Sequence, residues 1–137
     1  MNLDPTAFVA DQELIRALRE RATAVDCDQD PVLFHQGDAP VGLYVVHHGE
    51  VTISMDSPAG DEVISIAALP GSLLGLPGLL GNCPYSLSAV ATKGAEVSFV
   101  SRDDFSSLML SEPRFSMMIL RVLANEVRSA RLAITNR

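Results

Sequence analysis

The chain has 137 residues, 47% hydrophobic and 20% charged, with nine Gly and eight Pro. That describes one globular, turn-rich domain with enough apolar residues for a proper core. A formal charge of −7 repels polyanions and argues against a nucleic-acid-binding face. No stretch approaches the roughly 20 apolar residues of a membrane span. The start, MNLDPTAFVADQ, lacks the basic residues and apolar run of a secretion signal, so a cytoplasmic protein away from membranes is expected.

Residues 11–22 form the first predicted element, an amphipathic helix with Leu14, Ala17 and Leu18 on one face. The character then changes to short β-type runs at 31–35, 41–55, 62–69 and 86–100. Turns punctuate them at Gln36-Gly37-Asp38, His48-Gly49-Glu50, residues 57–61 and Lys93-Gly94. Short strands so spaced indicate an antiparallel roll or sandwich, not a parallel βαβ sheet. Ser101 and Asp104 resemble a capping box that opens a helix over RDDFSSLML. Ser111-Glu112-Pro113 starts a longer one, with Pro in the first turn, where its missing N–H removes nothing.

The segment 32-VLFHQGDAPVGLYVVHHGEVTIS-54 resembles the opening of cyclic-nucleotide-binding domains: an LF-x-x-GD turn, a LYVV strand and a GEV hairpin. The stretch from Gly75 to Ala91 sits where that family places its phosphate-binding cassette. Residues 96–128 resemble the strand, short helix and long helix of the catabolite-activator and Fnr type, so the likeness runs from about 12 to 134. It implies a mainly β fold with flanking helices: an antiparallel double-stranded β-helix, or jelly roll, with an N-terminal helix, a short cassette helix and a long C-terminal helix. One domain, 1–137, is expected, with the roll at about 23–100 and C-terminal helices at about 102–134. Gly75 and Gly78 would let backbone N–H groups converge on an anion at the cassette.

The chain departs from the family pattern where ligand chemistry resides. No residue from Ser72 to Ala91 is charged or a histidine. The family's ribose-holding Glu corresponds to Leu76, its phosphate-pairing Arg to Tyr85, and the purine-reaching position on the long helix to Ala130. Leu cannot accept ribose hydrogen bonds, and Tyr cannot supply a cationic fork. Ordinary cyclic-nucleotide binding is therefore not expected. The candidate pocket is Leu74, Gly75, Leu76, Pro77, Gly78, Tyr85 and Ser86. Its leucines, with Leu73, Leu79 and Leu80, either plug a vestigial site as core or line a cavity for an apolar ligand touched by Tyr85 and Ser86. Regulators of this type carry a helix-turn-helix after the long helix; none follows before Arg137, so direct DNA binding is not expected.

On the last helix Leu120, Leu123, Val127, Ala130 and Ile134 follow the a/d spacing of a coiled coil, which predicts a homodimer. In that register Glu126 and Arg131 would pair across the rim, and Arg114, Arg121 and Arg128 would lie outside. The competing reading folds this same stripe onto the chain's own roll. His47-His48 point to opposite faces of a strand and, with His35, make no metal face; no metal or cofactor is expected. Cys27 and Cys83 read as reduced thiols. No GxSxG, HExxH or P-loop occurs, so no enzyme is expected. The resulting expectation is a regulatory or sensor-like module with an unknown small molecule or protein partner. The alternatives are a sensor of an apolar ligand in the Leu76–Tyr85 pocket and a purely structural dimerisation partner of a separate output protein.

Overall fold

A computed structural model describes residues 3–135. A 3-10 turn, Pro5–Phe8, is capped by the Asp4 carboxylate and leads into α1, Gln12–Arg19, where the Asp11 side chain accepts from Glu13 N at 2.8 Å. α1 ends at Arg19, short of residue 22. It buries Leu14 and Leu18 and packs Ile15 and Ala17 beside them.

Eight strands follow: β1 Thr23–Ala24, β2 Val32–Phe34, β3 Gly42–His48, β4 Val51–Asp56, β5 Glu62–Ala68, β6 Leu73–Leu74, β7 Ser88–Ala91 and β8 Glu96–Ser101. They build two antiparallel sheets of four strands, ordered β1-β8-β3-β6 and β2-β7-β4-β5. A short helix, α2 Leu76–Gly81, lies between β6 and β7; α3 Arg102–Ser111 and α4 Arg114–Thr135 close the chain. This is the jelly roll with flanking helices. Ser101 caps α3 by accepting from Asp104 N, and Pro113 immediately precedes α4. Among the described residues no helix is long and apolar enough to cross a membrane.

The GEV hairpin expected at Gly49 is not one. β3 pairs with β6 and β8, whereas β4 pairs with β5 and β7, so the chain changes sheets at Gly49. The apparent single run 86–100 likewise divides into β7 and β8, which lie in different sheets. The two crossings stack on one another. Thr92 donates to Glu50 O through both N and Oγ1, each at 2.9 Å, and a Cβ on Gly49 would fall 2.7 Å from Ala95 Cα. One long two-stranded ribbon thus bends from one sheet into the other. Gly49 is needed there twice over, by its φ of 82° and by the close approach.

β3 reads LYVV without polar interruption because its sheet is covered on both faces. Leu43 and Val45 join a core against the helices, with Leu14, Leu18, Val100, Phe105 and Phe115. Tyr44 and Val46 face the interior between the sheets, with Phe34, Val51, Ile53 and Val97. α4 covers the helical side through Phe115, Ile119 and Val122, and farther along it buries Ser129, which accepts from Asp4 N, and Ala133.

Candidate functional site

The cassette is a strand-to-helix corner. β6 pairs with β3 through Tyr44 opposite Leu74, and the chain then turns at Gly75, whose φ is 91°. α2 follows and stops at Asn82, whose left-handed φ of 51° is a conformation Asn tolerates. An added Cβ at Gly75 would meet Tyr85 Cε1 at 2.9 Å, and one at Gly78 would meet Cys83 O at 2.9 Å. These glycines therefore admit the chain's own Tyr85 and return segment against the cassette backbone.

Tyr85 is held at every polar atom. Its hydroxyl donates to Gly42 O at 2.7 Å and accepts from Val41 N at 3.1 Å. Its backbone N donates to Asp38 O, and its O accepts from Gly37 N. The ring is buried and lies 4.3 Å, centroid to centroid, from that of Phe34. A side chain expected to offer a polar contact to a ligand has committed its hydroxyl to the β3 backbone.

The cassette leucines divide instead of sharing one role. Leu74 joins the core between the sheets, Leu73, Leu76 and Leu79 join the core under the helices, and Leu80 is exposed. Leu76 is 0% exposed and points away from the pocket it was expected to line. The reason is helical geometry: Leu76 and Leu79, three apart, share one face of α2, and that face meets the helical core. The other candidates, Leu74, Gly75, Pro77, Gly78, Tyr85 and Ser86, do surround a common cavity of about 30 Å³. Phe8, Phe34, Ile53, Leu87 and Glu126 complete its lining.

Glu126 corrects the rim pairing with Arg131. Its side chain enters the cavity from α4, and Oε2 is sealed from solvent with no hydrogen-bond partner among the described residues. Burial, with no charged neighbour contributing, pushes its carboxyl up from 4.5 to about 8, so it is neutral at pH 7. Ala130, the expected ligand-facing position of the long helix, does not line the cavity. Glu126 was legible in principle: Phe115, Ile119, Val122, Ser129 and Ala133 step by four and three, and Glu126 fills the gap in that buried stripe. Arg102 was also missed. It donates to Leu79 O at 3.2 Å and Pro40 O at 3.1 Å, tying the end of α2 to the loop before β3.

α4 thus carries two stripes. Leu120, Val127 and Ile134 are half or more exposed, at 55%, 50% and 58%, while Leu123 and Ala130 are partly covered. Leu120, Val127 and Ile134 form an exposed apolar strip along one flank of α4, and Leu123 beside it packs partly against the helical core. Arg114 bonds Glu13 and Glu112 and lies over the Phe115 ring; Arg121 and Arg128 are exposed.

The remaining titratable groups lie elsewhere. His47 bonds Ser98 on the helical side, where burial lowers its pKa; His35 and His48 are exposed. Among the described residues no three His, Cys, Asp or Glu side chains converge. Cys27 is buried and Cys83 exposed, both as free thiols.

Known proteins resemble the chain across this architecture. The cyclic AMP receptor protein of Thermus thermophilus is 31% identical over 106 residues, 77% of this chain and 49% of that protein. The anaerobic regulatory protein of Aggregatibacter actinomycetemcomitans is 33% identical over 101 residues, 72% of this chain and 38% of that protein. The crystal structure of the Thermus thermophilus catabolite activator protein superposes with a TM-score of 0.76 at 26% identity, covering 96% of this chain and 62% of that one. The chain spans half or less of the length of these curated relatives. The family described as the cyclic nucleotide-binding domain matches residues 24–112, two sheets and cassette included, and the chain belongs to it.

Proposed function

We propose that the chain is a regulatory, sensor-like module that does not take cyclic AMP or cyclic GMP in the usual way and works as a parallel homodimer through α4. Tyr85 carries the first part. It stands where the family pattern has its phosphate-pairing cation, its hydroxyl is committed to Gly42 and Val41, and among the described residues no Lys, Arg or His lines the cavity. A cyclic phosphate would find no counter-charge and a buried carboxyl nearby. At about 30 Å³ the cavity is also far below the roughly 300–1,000 Å³ of ordinary small-molecule sites.

The exposed Leu120, Val127 and Ile134, with the partly covered Leu123 and Ala130 beside them, support the dimer, because a different stripe already covers the chain's own body. A formal charge of −7 supports action through a ligand or protein partner rather than direct contact with DNA. Calorimetry with cyclic AMP and cyclic GMP, together with light scattering, tests the reading. No saturable binding at micromolar nucleotide and a dimeric mass are expected. A sub-micromolar isotherm, or a monomer at high micromolar protein, overturns the corresponding half.

A further inference from the structure

The geometry points to the cassette cavity as a binding site for a small organic ammonium cation, with Glu126 as its counter-ion. The inference rests on the reading of the chain as a sensor-like module, and it adds a site and the ligand's chemical class. Phe8, Phe34 and Tyr85 line the cavity, three of the chain's seven aromatic rings, and the negative faces of such rings attract alkylammonium groups. Glu126 is the carboxyl among them, and its Oε2 has no hydrogen-bond partner among the described residues. An ammonium brings the N–H donors that this oxygen lacks.

The surroundings exclude the opposite charge. The 3-10 turn contributes Phe8, β2 Phe34, β4 Ile53, the cassette Leu74, Gly75, Pro77 and Gly78, and the return segment Tyr85, Ser86 and Leu87. Tyr85 is the other titratable side chain of that lining, and its hydroxyl is engaged by Gly42 and Val41. An anionic head would therefore meet apolar walls and a carboxyl. A volume near 30 Å³ suits a head group of one or two heavy atoms, since a water needs roughly 10–15 Å³ by the same measure.

Proton balance provides the signature. At pH 7 the carboxyl is neutral, so as the cation binds, Glu126 gives its proton to solvent and pairs as carboxylate. One proton leaves per ligand bound. Affinity then rises about tenfold per pH unit up to about 8, and flattens above it until the amine itself deprotonates near ~10.

The test titrates the full chain with n-butylammonium chloride, sodium butyrate and n-butanol at pH 6, 7 and 8. Calorimetry in two buffers of different ionisation enthalpy counts the protons. Butylammonium should bind one to one, release close to one proton at pH 6, and gain about tenfold between pH 6 and 7; butyrate should not bind. Glu126→Gln should lose at least about tenfold in butylammonium affinity. Carboxyl-carbon NMR of Glu126 in the unaltered protein needs no variant: butylammonium should lower its titration midpoint. Butanol or butyrate binding as well as butylammonium, a pH-independent affinity, or an unmoved midpoint overturns the assignment. Absence of butylammonium binding overturns the cation class alone, whereas sub-micromolar cyclic AMP binding overturns the proposed function.

Discussion

Replacing Glu126 by Gln keeps the side chain's shape and removes its ability to ionise, which isolates what burying this carboxyl does to stability. In the folded protein the group titrates at about 8, and its ordinary value is 4.5. Because the folded value is the higher one, the folded state binds the extra proton in between. Stability is therefore lost as pH rises from 4.5, and the loss is complete above about 8. At about 1.4 kcal/mol per pH unit this gap bounds the loss at about 5 kcal/mol; partial relaxation of the site around a carboxyl that is mostly buried brings the realised value nearer 2–4 kcal/mol. The Gln amide, neutral at every pH, does not share the loss. Urea unfolding at pH 5, 6, 7, 8 and 9 should show the two proteins close together at pH 5, the variant gaining steadily through pH 8, and a constant gap beyond. A stability difference independent of pH would refute the reasoning, since it would mean that Glu126 reaches solvent or a cation and ionises normally.

Three further outcomes follow from named contacts. Tyr85→Phe strips the partner from Gly42 O and Val41 N in a buried corner and should cost about 1–3 kcal/mol in urea unfolding; a loss below ~0.5 kcal/mol would mean that water substitutes for the hydroxyl. Gly75→Ala forces a Cβ to 2.9 Å from the Tyr85 ring at φ 91°, whereas Gly60→Ala at φ 92° enters open space. Gly75→Ala should therefore lose at least ~1 kcal/mol more, and equal melting temperatures would contradict it. In the α4 strip, Val127→Glu would set two carboxylates against each other in an apolar layer at about 3–5 kcal/mol, so light scattering should report a monomer, while Arg121→Glu on the outer face stays dimeric. A dimeric Val127→Glu would place the interface elsewhere.

Much of the architecture is local physics and could be read directly. The caps at Asp11 and Ser101, the turns at Gly37 and Gly60, and the period-3.6 runs of α1 and α4 each depend on neighbours within a few residues. The missing cations of the cassette are also plain in the chain, because nothing between Ser72 and Ala91 is charged. Strand pairing was less accessible. The run over 41–55 looks like a hairpin about Gly49, and the difference between a hairpin and a change of sheet lies in partners such as Glu96 and Ala68, tens of residues away.

The chain's own pattern therefore determined a β-roll with a capped helical frame and a cassette emptied of charge. Only the tertiary structure decided which way each cassette side chain points. Leu76 turns into the helical core because its face of α2 joins the cluster that Leu14, Phe105 and Phe115 form there, leaving Leu74 to the roll interior. Glu126 carries an ordinary exposed-helix letter in the sequence. Its burial comes from α4 being fastened across the cassette by Phe115, Ile119 and Val122 on one side of it and by Ser129, which accepts from Asp4 N, on the other. The four-and-three spacing puts Glu126 in line with the buried stripe, but whether its carboxyl is solvated or sealed depends on these distant contacts.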